Sequence, residues 1–100
     1  MEIELLYVPN CPHRRTARRH LDAALAEQGL VAVVREREVA SPEEADQYGM
    51  HGSPTIRVDG RDPFADPGAR PSLSCRLYGG EEHSASGAPT VAQLADVLAS

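Results

Sequence analysis

The 100-residue chain has no lysine and no tryptophan, a single phenylalanine and only two cysteines. Two cysteines are too few for a disulfide-stapled scaffold, and Cys11 and Cys75 form no CxxC pair. No apolar run approaches the 18 or so residues that a membrane-spanning helix needs. The acidic start, Met1-Glu2-Ile3-Glu4, reaches Pro9 too soon to be a secretory signal. The expected compartment is therefore cytoplasmic, with no membrane partner. Aromatic residues make up 4% of the chain and the formal net charge is −5. That combination leaves little for base stacking or phosphate neutralisation, so nucleic acid is not an expected partner.

What remains is an ordinary globular composition, 41% hydrophobic and 25% charged, which argues against disorder. A chain of this length folds as one small domain over residues 1–100, burying roughly 60–65% of its unfolded surface. Residues 3–8 read as a short apolar strand closed by Pro9-Asn10. From Cys11 to about Gln28, Ala17, Leu21, Ala24 and Leu25 form one apolar stripe of a helix. Pro12 is expected at its first position and Gly29 as its stop. A second strand follows over 30–34, its far end alternating Arg and Glu up to Val39. Ser41-Pro42-Glu43-Glu44 opens a short helix ending near Tyr48-Gly49.

Residues 55–58 give a third strand with a turn at Asp59-Gly60. A proline-rich loop runs from Arg61 to Pro71, and the alternating stretch 72–78 reads as a fourth strand. Gly79-Gly80 ends it, a polar loop runs to Gly87, and Thr90 with Gln93 caps a last helix. The implied fold class is α/β, strand order βαβαββα. The first βαβ unit is parallel and right-handed, the third and fourth strands form an antiparallel hairpin, and the four-stranded mixed sheet carries helices on both faces.

Two local features carry a family resemblance. Val8-Pro9-Asn10-Cys11-Pro12-His13 joins the first strand to the first helix, and Gly52-Ser53-Pro54-Thr55 precedes the third strand. The chain resembles the thioredoxin-like superfamily, which places its nucleophilic cysteine at the first position and a cis-proline facing it at the second. Gly79-Gly80 also stands where that superfamily often has glycine. The CPH start, the GSPT segment and the SCRLY stretch resemble, in addition, small proteins labelled alkylmercury-lyase-like. The motif departs from CxxC: in Cys11-Pro12-His13-Arg14, arginine stands where the resolving cysteine would be, so the two-thiol mechanism within that motif is excluded.

The resemblance implies a thiol-disulfide oxidoreductase acting through one cysteine. Cys11 at a helix start would have its thiolate, the nucleophilic form, stabilised by unpaired N–H groups and the positive dipole end. Arg14 would reinforce that field, and a disulfide-containing or thiol substrate, such as glutathione, would be bound by Pro12, His13, Ser53, Pro54 and Thr55. No cofactor is implied. Ser53, before the proline, would pair its backbone with the substrate's sulfur-bearing segment.

Each feature also has a plainer interpretation. Cys11 can be an inert thiol at a helix cap, and Pro54 an ordinary trans proline. The four arginines among Arg14, Arg15, Arg18 and Arg19 can be a solvated face, or can face an anion. Cys75 lies two strands from the first in the expected sheet, about 10 Å sideways, beyond the roughly 4.4–6.8 Å Cα separation of a disulfide. Sharing a face with Leu73 and Leu77, it reads as a buried hydrophobic cysteine. Cys11, His13 and His51 could hold zinc, but no HxxxH or CxxC spacing supports a metal site and none is assigned. Phe64 is expected to pin its loop onto the domain. Two further functions compete with thiol exchange: soft-metal or organomercurial binding by Cys11 with Cys75, and a non-catalytic interaction domain whose basic first helix docks an acidic partner.

Overall fold

Alternation decides the central strand. In β1 (Glu2–Tyr7), Ile3 and Leu5 pack on one side and Leu6 on the other, all three fully buried. Burying side chains of this size is worth about 1.5–3 kcal/mol each, so β1 must lie inside a sheet covered on both faces. The computed structural model describes residues 1–80 and 83–99, the side chains of 79–86 excepted. In it β1 is flanked by β2 (Val33–Glu38), parallel, and by β4 (Thr55–Val58), antiparallel, giving a three-stranded mixed sheet in the order β2-β1-β4.

Helices cover both faces, as the patterning requires. On the side of Ile3 and Leu5, α1 (Arg14–Glu27) contributes Ala17, Leu21, Ala24 and Leu25, and α3 (Val91–Leu98) contributes Leu94, Ala95 and Leu98. On the other side, Leu6 packs with Val39, Met50 and Ala45 of α2 (Pro42–Tyr48). No helix among the described residues is long and apolar enough to cross a membrane.

The caps follow the sequence closely. Gly29 adopts φ +66, its amide donates to Ala26 O and the Leu30 amide to Leu25 O, which is the paired bonding of a Schellman stop. Leu30 packs on the core as part of this stop, which is one reason β2 begins at Val33 rather than at Leu30. The Ser41 hydroxyl accepts from the Glu44 amide at 3.2 Å, and Thr90 and Gln93 form a reciprocal capping box.

Two expectations fail. The helix expected from Cys11, with Pro12 first, starts at Arg14: His13 occupies the cap without a side-chain bond, and Pro12 and His13 form a turn of their own ahead of it. The expected four-stranded sheet is also not formed among the described residues. Asp59 and Gly60 do make the tight turn, with φ +49 and +84, but the hairpin is one pair wide, Val58 against Arg61. Asp62 then leaves the ladder for a buried ion pair, and the chain returns elsewhere. β5 (Ser72–Cys75) pairs parallel with β3 (His51–Ser53), ahead of Pro54. β6 (Tyr78–Gly80) pairs with β7 (His83–Ser86), where a polar loop was expected; positions 81 and 82 of that stretch lie outside the described residues.

Candidate functional site

The end of β1 is turned sharply by its own sequence. The Cys11 amide donates to Val8 O at 3.1 Å, with Pro9 and Asn10 between them and Asn10 at φ +62. Proline first and a left-handed asparagine second are the residues a type II turn selects. The turn presents Cys11, half-buried and free, in a cavity of about 390 Å³ that Tyr7, Pro12, Arg14, Arg15 and Glu38 also line.

One side chain ties this turn to the second motif. The Ser53 hydroxyl, on a residue 2% exposed, accepts from the Val8 amide at 3.0 Å. The Ser53–Pro54 peptide is cis. Segments 45 residues apart in sequence, the two that carry the resemblance, are thus joined directly.

The remaining expected site residues are placed as follows. Arg14 donates to Glu36 at 2.9 Å and lies over the Tyr7 ring at 4.0 Å, and the Glu36 hydrogen bond raises its pKa above the ordinary arginine value. Its charge is secured by a carboxylate on β2. Arg18 likewise bonds Glu36 and Asp22. The anions faced by the start of α1 are therefore partly the chain's own. Pro12 is exposed at the cavity, and the His13 ring rests on Gly87, where an added Cβ would meet it at 2.2 Å.

Ser53, Pro54 and Thr55 are all buried. The Ser53 carbonyl accepts from the Arg76 amide at 3.0 Å, and the Thr55 hydroxyl accepts from the His51 amide and donates to Gly52 O. The Ser53 carbonyl, which the resemblance would pair with a substrate, is thus taken by the chain's own Arg76 amide.

Beneath this segment lies a network that sequence reasoning missed. Asp62, with a side chain 2% exposed, accepts from both Arg76 guanidinium nitrogens, at 2.6 and 3.3 Å, and from the Phe64 amide at 2.9 Å. His51 Nδ1 is 2.9 Å from the same carboxylate. Arg76 stacks on the Tyr78 ring, and the Tyr78 hydroxyl donates to Pro54 O. Burial pushes the Tyr78 phenol well above its ordinary pKa; the Arg76 charge works against the shift, whereas the charges of Asp62 and Cys11 add to it. Phe64 meets Tyr78 edge to face at 5.2 Å and packs on the core, so it does pin its loop.

Cys75 overturns its sequence reading. It is exposed, and it stands opposite Ser53 in the β3·β5 register. Leu77, expected on the same buried face, is 68% exposed. The 10 Å argument assumed a strand order the structure does not adopt. Among the described residues no group of three histidine, cysteine, aspartate or glutamate side chains could hold a metal ion; His51 faces Asp62 and His13 faces Gly87. A second cavity of about 360 Å³, bounded by Met1, Val58 and Leu98 at the far end of β1, contains no thiol or imidazole. No protein-family model, curated protein or solved structure matches this chain, so the reading of function rests on the geometry of the Cys11 site.

Proposed function

We propose that this is a thioredoxin-like thiol protein that carries out thiol-disulfide exchange through Cys11. The observation that carries the reading is the hydrogen bond from the Val8 amide to Ser53 Oγ, which fixes the Cys11 turn against the Ser53–Pro54 segment. A half-buried thiol at the mouth of a cavity with two guanidiniums on its wall can attack a disulfide sulfur and release an anionic thiolate. Cys11 is the nucleophile. Arg14, held by Glu36 and Tyr7, and the exposed Arg15 line the cavity together with Glu38, and Arg15 is its cation without an acidic partner among the described residues. Pro12 lines the cavity and His13, next to it, packs against Gly87, while Ser53, ahead of the buried Pro54 and Thr55, holds the turn through Val8. The substrate is a small or protein disulfide, glutathione disulfide being the simplest probe.

Incubating the reduced protein with glutathione disulfide and following adduct formation by intact mass tests this. A Cys75→Ser variant should gain one glutathione, and a Cys11→Ser, Cys75→Ser double variant none. Equal adduct formation by both, or by neither, contradicts the proposal. A second reading, capture of a soft metal ion between Cys11 and Cys75, is favoured by one observation, the placement of Cys75 beside Ser53. It predicts stoichiometric mercury binding that either single Cys→Ser variant loses. The interaction-domain reading rests on Arg18 and Arg19, of which Arg18 is paired with Asp22 and Glu36.

A further inference from the structure

Ser53 is a junction between the two cysteines. Its hydroxyl holds Val8, whose carbonyl in turn accepts from the Cys11 amide, and across the sheet its register partner is Cys75. A residue and its register partner on the next strand are about 5 Å apart, and the ends of a β-turn lie within about 7 Å. Cys75, at an exposed strand end, is therefore connected to the Cys11 turn through a single residue, Ser53.

Three further observations place β5 there firmly. The Arg76 amide, next to Cys75, bonds Ser53 O at 3.0 Å. Gly52, at φ +108, lets β5 approach closely: an added Cβ would sit 3.0 Å from Arg76 Cβ and 3.1 Å from Ser74 O. Tyr78, three residues beyond Cys75, donates through its hydroxyl to Pro54 O. The chain from 75 to 78 thus runs along the Ser53–Pro54 segment that also holds the Cys11 turn, and the side chain it exposes there is the protein's other thiol.

We propose that Cys75 is the resolving thiol for Cys11, replacing the cysteine that Arg14 displaces from the motif. The proposal rests on the thiol-exchange reading above and deepens it. Cys11 as thiolate attacks one sulfur of a substrate disulfide; that S–S bond breaks, one substrate thiolate leaves, and Cys11 carries the other half as a mixed disulfide. Cys75, having given its proton to solvent, attacks Cys11 Sγ; the mixed disulfide breaks and the second substrate thiolate leaves and is protonated. The substrate has gained two electrons and the protein is left with a Cys11–Cys75 disulfide, which an external dithiol reduces. A Cys11–Cys75 disulfide requires the two Cα atoms to come within roughly 4.4–6.8 Å of each other.

The test treats reduced wild-type protein and the Cys75→Ser and Cys11→Ser variants with glutathione disulfide, followed by intact mass and non-reducing peptide mapping. The expected result is a stable single glutathione adduct on Cys11 in Cys75→Ser. Wild type should instead carry no glutathione, yield a peptide pair linked through Cys11 and Cys75, and release two glutathiones per chain. If wild type keeps its adduct as long as Cys75→Ser does, with Cys75 still open to alkylation, the resolving role is overturned and single-thiol exchange stands. If Cys75→Ser gains no adduct, the exchange reading fails and takes this proposal with it.

Discussion

Replacing Asp62 with alanine should cost the protein a large part of its stability, although a surface loop is where the sequence places it. The carboxylate is 2% exposed and receives two bonds from Arg76, whose side chain is itself only 10% exposed. Truncation leaves a desolvated guanidinium without its counter-charge and takes the acceptor from the Phe64 amide. Breaking a buried pair on one side costs about 3–5 kcal/mol, against a total of about 5–15 kcal/mol for a domain of this size. At about 4–8 °C per kcal/mol, the melting temperature should fall by at least ~12 °C. Thermal and urea unfolding followed by circular dichroism would measure it. The pairing with Arg76→Met is the sharper assay, because removing both charges should recover much of the loss. A single-variant loss within the ~1 kcal/mol typical of exposed pairs, or no recovery in the double variant, would refute the reasoning.

Three other perturbations bear on the site. Ser53→Ala removes the acceptor for the Val8 amide and should cost about 1–3 kcal/mol while slowing glutathione adduct formation at Cys11; an unchanged rate would mean that the turn is held by other contacts. Gly87→Ala drives a Cβ into the His13 ring and should destabilise by about 1–3 kcal/mol; adding His13→Ala should restore stability, and failure to do so would place the strain elsewhere. Because burial holds the folded-state pKa of Tyr78 above its unfolded value of 10.0, its contribution is intact below pH 10 and is lost as pH rises beyond it. Stability should then fall by up to about 1.4 kcal/mol per pH unit from this group, and urea titrations from pH 9 to 11 should show a shallower fall in Tyr78→Phe.

What the sequence made legible was local. The Gly29 stop, the Ser41 and Thr90 caps and the Asp59-Gly60 turn each depend on a few neighbouring residues, and each is found as expected. Apolar periodicity likewise identified the buried face of α1. The start of α1 was misplaced because proline is as welcome at the second position of a turn as at the first of a helix. Pro12 and His13 form such a turn, and the helix waits until Arg14. The pairing of 72–75 was unreadable for a different reason. A tight turn at Asp59-Gly60 argues for an extended hairpin, but that ladder competes with the desolvated Asp62–Arg76 pair, whose partners are fourteen residues apart with no periodic signal. Cys11 and the Ser53–Pro54 segment could be singled out from the residues around them, whereas Asp62, Arg76, Tyr78 and Gly87 acquire roles only through contacts between distant segments.

The most direct test of the account is the rate at which Cys11 exchanges with glutathione disulfide in the Cys75→Ser background, measured once on folded protein and once in urea beyond the unfolding transition. The half-buried thiol is less accessible when folded, so burial alone predicts that folding slows the reaction. If the turn, the guanidiniums of Arg14 and Arg15 and the Ser53 clamp build a nucleophile, the folded protein should react several-fold faster, and Ser53→Ala should erase most of that gain. A folded rate equal to or below the unfolded one would contradict the account, and would make Cys11 a packed thiol in a fold with no exchange chemistry at this position.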